Sequence, residues 1–295
     1  MWRSLTFLCL YAPLIPASGA AGGDMINVAV SILPQKYLVE RIGGDRVKVV
    51  VMVKPGLNPE TYEPTPRQMA SVHDAELYFR IGVPFEQAWM ESITKLNRRL
   101  RVIECCRDLF ATSPYAHAHA RADHHANHDL DAHVWTSPRN ARLIAGQIRS
   151  VLVEADPAHR EIYERNFRDF VAELDELDHS IRTQLVGLAN RTLLVSHPSW
   201  GYFADAYGLE QIAIERNGGE VRAREMARLI ELARERNIRA VYVQKQHNVA
   251  SAEVIAREIN AEVIELDPLA EDYIDNLRRV TRAIVRGAGE HGTGS

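Results

Sequence analysis

Short apolar, β-branched runs alternate with helix-patterned stretches along most of this chain. The runs fall at 26–33, 47–53, 76–81 and 100–104, then again at 192–196, 211–215, 240–244 and 262–266. Between them lie 66–73, 85–96, 222–236 and 250–259, where apolar residues recur at helical spacing. Strands that alternate with helices build βαβ units, whose strands run parallel. The pattern therefore predicts an α/β protein of two lobes, each a roughly four-stranded parallel sheet with helices.

The segment between the two series has a different pattern. Phe167, Phe170, Leu174, Leu177, Ile181, Leu185 and Leu188 are separated by steps of 3, 4, 3, 4, 4 and 3. That is one helical stripe, predicted over 157–189, with Asp156 as N-cap and Pro157 at the first helical position. At 1.5 Å per residue such a rod measures roughly 48 Å, long enough to cross the back of two lobes. A coiled-coil dimer needs a longer stripe, so a monomer is expected. The predicted organisation is an N-terminal lobe over 21–156, an interlobe helix over 157–189 and a C-terminal lobe over 190–295.

Residues 1–20 read as an export signal: Arg3 near the start, an apolar run over 5–15, then Ala17, Ser18, Gly19 and Ala20. The run is too short to span a bilayer, which takes about 20 apolar residues. Cleavage near Ala20 and delivery to the periplasm are expected. Cys9 lacks the small residues that precede a lipidated cysteine. Cys105 and Cys106 are adjacent, and a bond between them would close a strained ring. With no CxxC spacing, no thiol chemistry is expected.

Composition narrows the function classes. The 295 residues are 46% hydrophobic and 25% charged, which excludes a disordered chain and a polytopic membrane protein. A net charge of −4 gives no support to nucleic-acid binding. The twelve histidines are unevenly placed. Five of them, His117, His119, His124, His125 and His128, crowd a loop over 116–131 that has no apolar periodicity. Such a loop suits weak auxiliary metal binding rather than an ordered tight site, because ordering it costs entropy.

Ligands of open α/β sheets gather beyond the carboxyl ends of the strands. After the second run comes Lys54 to Pro66, stiffened by four prolines and carrying Glu60. His133 stands just before Ser137 and Pro138, a helix start. His197 follows the run at 192–196 directly, and Asp267 follows the run at 262–266. Two imidazoles and two carboxylates suit Zn²⁺, which takes N and O donors at about 2.0–2.2 Å. Mn²⁺ accepts the same donors and favours carboxylates.

Four motifs in this order resemble those of the zinc/manganese-type solute-binding proteins of bacterial ABC importers. They are Pro55-Gly-Leu-Asn-Pro-Glu60-Thr-Tyr-Glu-Pro-Thr-Pro66, Asp131-x-His133-x-Trp135-x-x-Pro138, His197 with Tyr202-Phe203 and Tyr207-Gly-Leu209, and Asp267-Pro-Leu. The similarity runs from about Ile26 to the helix around Arg278. It implies capture of Zn²⁺, or alternatively Mn²⁺, between the lobes and delivery to a membrane permease, with no enzymatic step. It also implies Glu60, His133, His197 and Asp267 as the metal ligands. The family's first histidine is replaced here by Glu60, so that position either contributes a carboxylate or leaves its place to water or Glu63. Gln244 stands where some relatives carry an acidic residue, and His247 three residues on is a rim contact. Tyr62, Trp135, Trp200 and Tyr202 are expected to wall the site, and Arg80 and Glu86 to pair on the first lobe's surface. An exported zinc hydrolase is the competing reading, but the chain has no HExxH helix and no GxSxG elbow. A cell-surface adhesin is a third, weakened by the missing lipid-anchor cysteine.

Overall fold

The computed structural model describes residues 25–106, 109, 131–215 and 221–289. The export signal and the five loop histidines lie outside the described residues.

Two four-stranded parallel sheets organise the chain, as the alternation predicts. The first contains β1 (Ile26–Val30), β2 (Val47–Val51), β3 (Leu77–Arg80) and β4 (Arg101–Glu104) in the order β2-β1-β3-β4. The second contains β5 (Thr192–Val195), β6 (Glu210–Ala213), β7 (Ala240–Val243) and β8 (Glu262–Glu265) in the order β6-β5-β7-β8. Both orders reverse direction after their first strand, so each sheet has a crevice at the carboxyl ends of its two central strands. The central strands are buried almost throughout, whereas the edge strands β2, β6 and β8 are largely half-buried or exposed. Helical crossovers covering both faces account for this, and for the near-continuous apolar runs in the sequence.

Among the described residues, the first lobe contributes α1 (Leu33–Gly43), α2 (Pro66–Ser71), α3 (Pro84–Leu96) and α4 (Pro138–Ala155). The long helix α5 follows at Arg160–Leu185. Its 26 residues make roughly 39 Å. It starts three residues later than the stripe predicts, because Pro157–His159 forms a 3₁₀ turn. There the Asp156 carboxylate takes a hydrogen bond from Tyr163 Oη at 2.7 Å and meets His159 Nδ1 at 2.8 Å. The side chain of Asp156 is thus committed to the coming turn and does not cap a backbone N–H. The buried stripe of α5 holds Tyr163, Phe170, Leu174, Leu177, Ile181 and Leu185.

The second lobe contributes α6 (Gly201–Tyr207), α7 (Ala223–Glu235), α8 (Ala250–Ile259) and α9 (Tyr273–Ala288). Helix α5 packs on α1 and α4 of the first lobe and on α6 and α9 of the second, and so joins the lobes. One apolar core runs through both, from Val28 and Phe79 past Trp135 and Phe170 to Leu269 and Tyr273. Arg41 on α1 adds a bidentate pair with Glu173 on α5 at 2.8 and 2.5 Å. Among the described residues no helix is long and apolar enough to cross a membrane.

Candidate metal centre

The loop after β2 is built to present Glu60 from a fixed backbone. Gly56 takes φ +80°, a conformation that favours glycine. Asn58 Oδ1 accepts the Glu60 N–H at 2.8 Å, and Pro59 O accepts the Phe85 N–H at 3.1 Å. At the far end Thr65 and Gln68 form a capping box at the start of α2, and Gln68 Nε2 donates to Met52 O at 3.0 Å. Tyr62 is buried edge-on against Phe85, with ring centroids 5.4 Å apart.

The imidazoles of the site stand at chain exits. His133 precedes a single 3₁₀ turn, and Asp131 holds it twice: Oδ1 accepts the backbone N–H at 2.8 Å and meets Nδ1 at 2.8 Å. His197 leaves β5 two residues beyond its end. Glu215 leaves the neighbouring strand β6 and is fixed by its N–H donating to Ser196 O at 3.0 Å. His247 closes a turn after β7, its N–H donating to Gln244 O at 3.1 Å.

With Glu60, these exits bring five side chains into one cluster. The His133 and His197 rings meet edge to face, centroids 5.4 Å apart. The His197 and His247 rings stack at 3.7 Å, tilted by 22°. Glu60 Oε1 lies 3.0 Å from His197 Nε2. On the other side, Glu215 Oε2 is 3.3 Å from Nδ1 of both His197 and His247. One donor atom each of Glu60, His197 and His247 lies within 4.8 Å of the others, close enough to share an ion; His133 meets this group at the edge of the His197 ring.

The electrostatics follow from this crowding. Burial disfavours a charged His197, but the contacts with Glu215 and Glu60 outweigh it and push its pKa up to about 9. Burial likewise works against a charged Glu60, yet His197, His133 and His247 hold its carboxyl below the usual range. Glu215 is held low first by its hydrogen bond to His197. His247 is pushed down by burial and by the neighbouring His197. His197 Nε2 is buried and makes no hydrogen bond although Glu60 Oε1 lies 3.0 Å away. A buried nitrogen facing a carboxylate without bonding to it is what a cation between the two would satisfy.

Asp267 has a different setting. Its Oδ1 accepts from Leu269 N at 2.9 Å and from Gln246 Nε2 at 3.2 Å. It lines a cleft of about 240 Å³ between the lobes, together with Lys54, Pro55 and Glu271. The sequence treated His247 as a rim contact and overlooked Glu215; the structure places both against His197. Trp135 walls His133 at 5.2 Å, and Trp200 and Tyr202 are buried. Glu86 departs from expectation. It is fully buried rather than at the surface, accepting from Ser31 Oγ at 2.5 Å, Ile81 N at 2.9 Å and Gly82 N at 2.9 Å, with Arg80 Nε at 3.4 Å. Cys105 and Cys106 are buried free thiols, and burial pushes both pKa values up, away from reactivity.

Two parallel α/β lobes joined by a long helix, with imidazoles and a carboxylate gathered at strand ends, define a metal-binding protein of the two-lobed kind. The profile of one family, zinc-uptake complex component A, periplasmic (ZnuA), matches residues 28–287, and the chain belongs to that family. Its role is that of the metal-binding component of an ABC importer for zinc or manganese. Among solved structures, a crystal structure of ZnuA superposes with a TM-score of 0.83 at 39% identity, covering 90% of this chain and 100% of that one. The high-affinity zinc uptake system protein ZnuA of Bacillus subtilis strain 168 is 28% identical, covering 91% of this chain and 88% of its own length. The manganese-binding lipoprotein MntA of Halalkalibacterium halodurans is 27% identical, covering 91% and 90%.

Proposed function

We propose that this chain captures Zn²⁺ in the periplasm and hands it to a membrane ABC permease. Glu60, His133 and His197 are donors in this reading. The observation that carries it is the buried His197 Nε2, which faces Glu60 without a hydrogen bond while Glu215 holds the opposite ring nitrogen. The carboxylate behind the imidazole directs the proton to Nδ1 and leaves Nε2 as the donor. Asp131 does the same for His133. Zinc is favoured because imidazole suits it, whereas manganese prefers oxygen donors. A zinc uptake relative, 28% identical, supports this choice, and a manganese-binding relative at 27% makes manganese the competitor to test.

In this mechanism the ion is cargo. It enters as an aquo ion, loses water to the donors and ties the lobes at the cluster. The helix α5 and the continuous core limit how far the lobes part. The histidines of the 116–131 loop collect zinc weakly and raise its concentration near the cleft. The mature protein acts as a monomer and reaches the periplasm through a cleaved signal.

Titrating the metal-free protein with zinc is expected to show one tight equivalent per chain. A competing manganese titration is expected to bind more weakly by about 10²-fold or more, following the order of metal affinities for nitrogen-rich sites. Failure to retain a single zinc ion, or tighter binding of manganese, contradicts the proposal.

A further inference from the structure

The stacked pair His197 and His247 shares one carboxylate. Both Nδ1 atoms lie 3.3 Å from the same Glu215 oxygen. Glu215 is hydrogen-bonded to Nδ1 of His197 and lies as close to Nδ1 of His247, so its charge favours keeping the Nδ1 proton when Nε2 gives up its own to a metal. Each Nε2 is then the lone-pair nitrogen, and each lies across its ring from Glu215. The polar neighbour of His247 Nε2 is the Asn58 amide nitrogen at 3.5 Å, on the loop that carries Glu60. The side chain of His247 is only 5% exposed, as little as that of His197.

The spacing also suits shared coordination. In a tetrahedral zinc site with bonds of about 2.0–2.1 Å, neighbouring donors are roughly 3.3 Å apart. One donor atom each of Glu60, His197 and His247 lies within 4.8 Å of the others, close enough to draw in around one ion. Asp267 is not in that group; its Oδ1 accepts from Leu269 N and Gln246 Nε2, and the residue lines the adjoining cleft.

We infer that His247 is the fourth zinc donor, alongside Glu60, His133 and His197, in the place that sequence resemblance assigns to Asp267. Glu215 is its positioning residue. The inference rests on the metal-capture reading and deepens it. Three imidazoles and one carboxylate form a nitrogen-rich set that discriminates against manganese, whereas two imidazoles and two carboxylates would do so less.

The test is X-ray absorption at the zinc edge on the full mature protein loaded with one equivalent of zinc. Three imidazoles in the first shell of the unsubstituted protein are expected, and two in His247→Ala. Zinc affinity is expected to fall about 10²-fold in His247→Ala and about tenfold in Glu215→Gln, which keeps the three imidazoles. Asp267→Asn is expected to keep both the imidazole count and, within about threefold, the affinity. Two imidazoles in the unsubstituted protein, or an unchanged affinity in His247→Ala, overturns the assignment of His247 while leaving metal capture intact. A protein that retains no zinc overturns the capture reading itself. The count in the unsubstituted protein does not depend on whether any variant folds.

Discussion

His197→Ala is expected to lower zinc affinity by about 10²–10³-fold. Structural zinc sites bind with about 10–16 kcal/mol at neutral pH, so one donor in four carries about 2.5–4 kcal/mol. His197 touches every other part of the cluster: Glu60 in front, Glu215 behind, His247 across its face and His133 at its edge. Its loss removes a donor and also leaves two carboxylates facing one another without the cation between them. Deleting residues 116–128 is expected to change affinity by less than about threefold, since their histidines are only weak auxiliary donors in this reading. Isothermal titration with a competing chelator measures both. Equal losses would place the main site in the loop.

The same residue sets a pH dependence. With a folded-state pKa of about 9 against about 6.5 unfolded, the His197 charge stabilises the metal-free protein fully below pH 6.5. That contribution fades as pH rises through 9. Zinc needs the neutral ring, so zinc affinity rises across the same interval as the proton becomes easier to displace.

Trp135→Ala is expected to cost about 3–5 kcal/mol of stability, the range for removing a large buried aromatic. Trp135 is 1% exposed, and its Nε1 donates to Pro268 O at 2.7 Å across the lobe boundary. Its carbonyl accepts from Tyr273 Oη at 2.7 Å. The substitution therefore opens a cavity and strands the Pro268 carbonyl. The midpoint of thermal unfolding should fall by on the order of 10 °C. Because the indole also walls His133, zinc should bind more weakly as well. Trp135→Phe keeps most of the packing and loses only the hydrogen bond, so its cost should be about 1–3 kcal/mol. A midpoint for Trp135→Ala within 2 °C of the parent protein, by scanning calorimetry, would show that this contact does not hold the lobes together.

Much of the architecture is readable from residue pattern alone. Parallel central strands buried on both faces demand unbroken apolar runs, and those runs mark β1, β3, β5 and β7 within a few residues. The stripe of α5 is equally plain, because a helix that covers two lobes must repeat its apolar face throughout. His197 stands out just beyond a strand, His133 just before a helix, and Glu60 in a loop stiffened by prolines.

What the pattern misses depends on where chains converge in space. Glu215 reads as the end of a strand, but β6 stops at Ala213 and the chain then carries Glu215 across to His197. His247 lies in a loop without periodicity, and only the parallel pairing of β5 with β7 sets it over His197. Glu86 looks like a solvated charge in the first turn of α3. Its burial depends on Ser31, just after β1, and two backbone N–H groups meeting at one point, which no local signal encodes.

The central claim is that donors far apart in the chain converge on one ion at the strand ends. Anomalous scattering from crystals grown with zinc, collected on both sides of the zinc edge, tests it most directly. A single strong peak bounded by Glu60, His133 and His197 is the result expected. A peak elsewhere, with these three side chains turned away from any shared ion, would contradict the account.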